Sequence, residues 1–350
     1  MQKTSQILLA PPELPFLEGL KNRIVMAPMT RGFAKDVHLC NDEIGKYYIR
    51  RAESGMGLII TEGMVIHPGG NGYSTVPFIY TKSQAESWRD TVNKVQAYGT
   101  KIFAQLWHCG RISHTDFTEG YPVVSSTNRK AEGINRQNNK PYGIPTALTV
   151  AEIDSVISIF ENAAERALGI GFDGVEIHMG HGYLIDQFLD KRINDRTDNY
   201  GGSVENRCRF ALELARTLVS KFGSTKIMIR ISPSRFMSGL YEWPDMSQMM
   251  SYLLTGFDEA GIRLLDISCA NADYFDTSGK VIKLFRSKWK HVILGGASLS
   301  LEQAAQEVLD GQLDLVTWGR AIIANPDFVR KIANGIELVA FEDVMRSKLV

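Results

Sequence analysis

Residues 226–232 read Lys-Ile-Met-Ile-Arg-Ile-Ser. Consecutive apolar residues of this kind mark a strand covered on both faces, not one with a wet side. Seven further runs resemble it: Arg23–Met29, Gly57–Glu62, Lys101–Trp107, Gly174–His178, Leu264–Ser268, His291–Gly295 and Asp314–Gly319. The segments between them carry helical spacing. In Ile153–Leu168, Ile153, Val156, Ile157, Phe160 and Ala164 form one stripe, with Glu161 and Glu165 off it. Glu205–Phe222 and Leu301–Leu309 read the same way, with Ser203 and Ser300 as caps. Eight strands alternating with helices, and no sustained hairpin signal, predict an α/β chain folded as a (β/α)8 TIM barrel. An open, doubly wound sheet is the alternative.

The expected organisation is one domain over residues 1–350. Residues 1–22 form a short N-terminal cap over the barrel floor. Residues 109–150 form a long polar loop after the third strand, placed to act as an active-site lid. Gly169-Ile-Gly-Phe-Asp-Gly174 matches GxGxxG, but it closes a helix and precedes a strand. The dinucleotide fingerprint needs the reverse order, so this is an αβ turn.

Lys+Arg and Asp+Glu number 39 each, which gives no reason to expect a nucleic-acid partner. The four cysteines form no CxxC pair, against an iron–sulfur cluster, a zinc ribbon or a disulfide scaffold. No stretch approaches the ~18 apolar residues of a membrane span, and the N-terminus lacks a signal-like apolar core. The expectation is a cytoplasmic enzyme or binding protein with a small-molecule partner and no membrane association. A homo-oligomer stays open.

Chemistry in a barrel gathers at the C-terminal ends of the strands. Arg230 shares a strand face with Met228. If that face is the lumen, the buried cation needs an anion. The N1–C2=O edge of a reduced flavin is one candidate, and a salt bridge to Glu176 or Asp266 is the other. His178, His181 and Tyr183 lie in HMGHGY. Two neutral imidazoles can donate to one substrate oxygen, and the phenol can supply a proton to carbon. HxxH can chelate a metal, but no third ligand follows by spacing, so none is assigned. Gly295–Gly296 and Gly319–Arg320 close the last two strands, where barrels often hold a phosphate.

Six stretches carry a resemblance: Asn22–Arg31, Ile59–Gly63, Gln105–His114, Glu176–Leu189, Arg196–Arg207 and Gly319–Val329. In this order they resemble the old yellow enzyme family of flavin-dependent ene-reductases. The resemblance implies bound FMN, NAD(P)H as electron donor, and ping-pong reduction of activated C=C bonds in unsaturated carbonyl or nitro compounds. It implies that Pro28, Met29 and Thr30 lie against the flavin, with Thr30 on O4. Gly63 packs near the ring, Gln105 meets the pyrimidine edge and Arg230 faces N1 and O2. Gly295, Gly296, Gly319 and Arg320 hold the phosphate. Tyr73 and Trp107 wall the substrate pocket, His178 and His181 anchor the substrate oxygen, and Tyr183 is the proton donor. Asp195–Arg207 reads as a structural loop and helix start.

Three departures qualify the match. Family members continue into an aromatic-rich tail where this chain reads FEDVMRSKLV, so a pocket wall or a subunit contact drawn from that tail stays open. Thr30 occupies the place where a redox-sensing variant carries Cys. No cysteine cluster of the iron–sulfur relatives is present. The competing readings are a non-redox barrel enzyme acting on a phosphorylated substrate and an FMN-binding barrel without turnover. A strand-end catalytic Lys would favour the first, and none is found. Retention of His178, His181 and Tyr183 weighs against the second.

Overall fold

The computed structural model describes residues 2–236, 239–269, 272–296 and 298–350. Its barrel strands are β1 (Ile24–Met26), β2 (Leu58–Ile60), β3 (Lys101–Trp107), β4 (Gly174–His178), β5 (Ile227–Ile231), β6 (Leu264–Ile267), β7 (Val292–Gly296) and β8 (Leu315–Trp318). Each pairs in parallel with its neighbours, in the order β2-β1-β8-β7-β6-β5-β4-β3, and β2 also pairs with β3. That last ladder, with Leu58 opposite Lys101, closes the ring and excludes the open sheet. The outer helices are α1 (Asp42–Glu53), α2 (Arg89–Ala97), α3 (Val150–Gly169), α4 (Val204–Phe222), α5 (Met246–Glu259), α6 (Ser278–Phe285), α7 (Leu301–Leu309) and α8 (Phe328–Asn334).

Local chemistry starts these helices where the sequence indicates. Thr149 and Ser300 each form a capping box, with Glu152 and Gln303, and Ser203 accepts from the Asn206 amide. Each cap is worth ~1 kcal/mol over alanine. The α3 stripe Ile153, Val156, Ile157, Phe160 and Ala164 is buried against the barrel. Gly169 ends α3, Gly171 has φ +109° and Gly174 opens β4, so the GxGxxG segment is the expected αβ turn.

The lumen is layered. Val25, Leu58, Ile60, Phe103, Met228, Leu264, Leu294 and Leu315 fill its lower part. Gly174 makes room there, since a Cβ would strike the Phe103 ring. Leu14, Leu17 and Leu20 of the N-terminal segment join this cluster from below, which seals the floor as expected. Each buried leucine contributes roughly 1.5–3 kcal/mol. Met228 therefore faces the lumen, and Arg230, two residues on, faces it one layer higher.

The loops over the C-terminal ends hold more structure than the sequence shows. Met64–Val65 extends the wall beside the upper half of β3. Within residues 109–150, Val124–Ser125 pairs with Thr146–Ala147, and Ile134–Asn135 forms a hairpin with Lys140–Pro141. A second hairpin, Ser234–Phe236 with Leu240–Glu242, follows β5. Ladders of two or three residues are too short to show an alternating pattern, so none was legible.

Candidate active site

The C-terminal ends of β3, β4 and β5 bring the expected residues together. Arg230 lies opposite His178 on β4 and opposite Asp266 on β6. His178 and His181 stand with ring centroids 5.1 Å apart. Tyr183 packs edge-on to His178 at 5.0 Å and to Trp107 at 4.9 Å. Tyr73 lies 4.9 Å from Trp107, and its hydroxyl is 3.2 Å from that of Tyr183. Two imidazoles, two phenols and an indole thus form one contiguous cluster.

The backbone enforces this arrangement. His181 sits at φ +56°, a left-handed conformation that a non-glycine residue adopts only when held. Its amide donates to Ser232 Oγ at 2.6 Å. The next amide, Gly182 N, donates to Asp186 Oδ2. Asp186 also receives Arg235 and the Trp243 indole, and Gln187 donates to the Gly182 carbonyl. Ser232, Asp186 and Gln187 were missed in the sequence. Ser232 alone carried a signal, since alternation places it on the Arg230 face.

Protonation follows from burial. Desolvation first, then the nearby Arg230 and Arg235 charges, hold the His178 imidazole far below its ordinary range. The same causes, with His178 added, act on His181. Both rings are therefore neutral. His178 Nδ1 accepts from the Gly180 amide at 3.3 Å, so its proton sits on Nε2, free to donate. Burial drives the Tyr183 phenol well above its usual value, and Tyr73 up to about 12. Both phenols keep their protons.

Several buried groups find no hydrogen-bond partner among the described residues: the Arg230 donors Nε and Nη1, and His181 Nε2. Arg230 lies 3.4 Å from Asp266 and 3.9 Å from Glu176, so both acids named as its alternative partners are close. Yet neither makes a hydrogen bond to Nε or Nη1. Unmet donors in a closed polar layer call for an acceptor-rich anion, which a flavin pyrimidine edge supplies.

The remaining residues lie at or just after the C-terminal halves of β1, β2, β3, β7 and β8. Gly63 is buried, and a Cβ there would fall on the Trp107 ring, 3.2 Å from Gln105 Oε1. Gln105 Nε2 donates to Glu176 at 2.6 Å. Pro28, Met29 and Thr30 follow β1, with Thr30 exposed and Met29 against Gly319, whose Cβ would sit 2.9 Å from the sulfur. Gly296 has φ +154°, and a Cβ would collide with the Thr317 carbonyl. Gly295 and Gly296 pair with Val316 and Thr317 of β8, which brings the Gly296 and Gly319 loops side by side. Arg320, exposed, opens the short helix Arg320–Ala324. Glu62 was also missed. It accepts from the Arg31 and Gly32 amides at 2.9 and 3.0 Å and so fixes the loop after Thr30. The loop Asp195–Arg207 is structural, as expected: Asn194 ties it to Phe188 and Tyr200 carbonyls, and Arg196 pairs with Asp198.

A closed parallel barrel with unmet cationic donors and a neutral His–His–Tyr cluster at its mouth is the architecture of a flavin-dependent oxidoreductase. The chain belongs to the NADH:flavin oxidoreductase / NADH oxidase family, whose model matches residues 8–338. It is 36% identical over 335 residues to the "probable flavin mononucleotide-dependent alkene reductase" of Leishmania infantum, covering 93% of this chain and 90% of that protein. Similarity to 12-oxophytodienoate reductase 1 of Oryza sativa subsp. japonica is 36% over 329 residues, covering 93% of this chain and 85% of the relative. The old yellow enzyme homologue of Zymomonas mobilis superposes with a TM-score of 0.90 at 31% identity, covering 97% of this chain and 96% of that one. Fold, oxidoreductase class and the requirement for FMN and NAD(P)H agree with the resemblance read from the sequence.

Proposed function

We propose that this chain, acting as one FMN-binding domain, reduces the C=C bond of small α,β-unsaturated carbonyl or nitro compounds at the mouth of the barrel. The observation that carries this reading is the pair of neutral imidazoles beside a protonated Tyr183, with His178 in register with Arg230 and its unmet donors. FMN would be held by Arg230 and Gln105 at its pyrimidine edge, by Pro28, Met29, Thr30 and Gly63 along the ring, and by Gly295, Gly296, Gly319 and Arg320 at its phosphate. Bound there, FMN would supply the two-electron hydride chemistry that links NAD(P)H to the alkene β-carbon.

The side chains of the chain do the rest. His178 and His181 donate to the carbonyl or nitro oxygen, draw electrons from the alkene and make its β-carbon a better acceptor. Each such hydrogen bond is worth ~3 kcal/mol in the transition state. Tyr183 gives its proton to the α-carbon, and the adjacent Tyr73 hydroxyl stabilises the phenolate that remains. Tyr73 and Trp107 wall the substrate, and residues 109–150 close over it. Balanced charge supports a small-molecule partner and no nucleic acid. Among the described residues no helix is long and apolar enough to cross a membrane. Placement in the cytoplasm and assembly as a homo-oligomer belong to the same proposal.

Visible absorption of the purified protein tests the reading. Flavin bands that bleach on anaerobic NADPH or NADH and return on adding cyclohexenone are expected. A protein that stays colourless after incubation with FMN would overturn it. The phosphate loops would then point to a phosphorylated, non-redox substrate.

A further inference from the structure

Between the apolar floor of the barrel and its mouth lies a polar layer with two acids, Glu176 and Asp266, that the chemistry above does not use. Glu176 of β4 and Asp266 of β6 flank Arg230 of β5, all three buried. Asp266 approaches the guanidinium to 3.4 Å and Glu176 to 3.9 Å. Gln105 Nε2 donates to Glu176 Oε2 at 2.6 Å. Among the described residues, Glu176 Oε1 and both Asp266 oxygens have no hydrogen-bond partner.

Charge counting makes this layer unusual. With both acids ionised, the layer holds two negative charges against one positive, a net −1. An uncompensated buried charge is costly. It would also oppose negative charge on any ring bound above Arg230. One proton between the two carboxyls removes the excess and supplies a donor to the empty oxygens.

We propose that Glu176 and Asp266 share a single proton, and that this proton keeps the Arg230 layer neutral so that Arg230 can face an anionic FMN ring. The two acids are positioning residues that act through Arg230. The inference rests on the proposed placement of FMN over Arg230. The groups facing Glu176 are Arg230, Asp266 and the neutral Gln105 amide. Beyond Arg230 stand the neutral His178 and His181, with Arg235 behind them. Burial, then proximity to Asp266 against the pull of Arg230, pushes the Glu176 carboxyl up to about 8. Burial raises Asp266 also.

Infrared spectra of the wild-type protein, with and without FMN, read the carboxylic-acid carbonyl band. Glu62, Asp186 and Asp190 are further buried acids, so the difference between wild type and E176Q isolates the pair. The expected result near neutral pH is an acid band that shifts in D2O, vanishes at strongly alkaline pH, and is lost in both E176Q and D266N. It is lost in D266N because the remaining carboxyl then ionises against Arg230. No such band in the wild type overturns the proposal, and so does its retention in D266N, which would mean that burial alone protonates Glu176. D266N alone decides the point should E176Q fail to fold.

The pH dependence of the FMN midpoint potential reads the action through Arg230. Wild type and E176Q should agree near neutral pH. They should diverge at alkaline pH, where only the wild type gains a negative charge and its potential falls further. The double variant E176Q/D266N should be reduced more easily throughout. Coincident curves for all three overturn the proposed action through Arg230. Should the protein bind no FMN, the proposed function fails, and the infrared band in the FMN-free protein still decides the shared proton.

Discussion

Tyr183 is the residue on which the proposed chemistry turns. Its ring packs against Trp107 and His178, and its hydroxyl meets Tyr73. Tyr183→Phe keeps the packing and deletes only the proton. Hydride delivery to the cofactor needs no proton from this side chain, whereas saturating the alkene does. Stopped-flow measurement of the two half-reactions should therefore show unchanged reduction by NADPH. Reoxidation by cyclohexenone should be slower by roughly 10²–10⁴-fold, the usual worth of a positioned general acid. Equal losses in both half-reactions would assign Tyr183 a structural role. This cluster was legible in the sequence because its residue types are rare at strand ends. The bonds that hold His181 at φ +56° were not, since Ser232 reaches its amide from just after β5 and Asp186 reaches the next amide from the short helix Leu184–Leu189. The reading of Arg230 left two outcomes open, a salt bridge or a cofactor anion. The structure contains part of both: the acids are near, and the donors are still unmet.

Strand ends and the turns after them set how closely the cofactor can lie on the protein. Gly63 follows β2 under the Trp107 ring, and any side chain there must displace the indole or Gln105. Gly63→Ala should lower thermal stability by about 1–3 kcal/mol, the range for overpacking a filled interior. It should also weaken FMN binding, because the displaced groups lie at the proposed ring position. A thermal melt and an FMN titration check this, and wild-type values in both would remove Gly63 from the site. The strands themselves were readable because both faces of each are buried, and their bounds moved by at most three residues at either end: Lys226–Ser232 became Ile227–Ile231, Arg23–Met29 became Ile24–Met26, and Gly174–His178 did not move. The small hairpins over the mouth were not readable. Their pairing is set by tertiary bonds, such as Asn135 Nδ2 to the Gly72 carbonyl at 2.8 Å, and not by a local pattern.

Across the whole molecule, the buried acids and histidines give stability a direction with pH. Burial pushes Glu62 up to about 7, and burial with the adjacent Asp266 pushes Glu176 up to about 8. Unfolded, both carboxyls ionise near pH ~4.3. The folded state thus binds more protons than the unfolded state between those limits, and stability falls as pH rises through them. Burial lowers His178, His181 and His108, so their contribution has the opposite sign and fades as pH drops below about 6.5. From about pH 6.5 to about 8 the histidines are neutral in both states, and the two acids act alone. Melting temperature should therefore decline across that window. The double variant E62Q/E176Q, which cannot take up these protons, should show a flatter profile. Thermal melts in overlapping buffers measure both curves, and a wild-type melting temperature that rises through the window would mean that neither carboxyl is protonated in the folded barrel. The acids sit on neighbouring parts of one site: Glu62 fixes the loop after Thr30, and Glu176 underlies Arg230. A pH-dependent loss of stability should therefore appear first as a loss of cofactor affinity, before the outer helices respond.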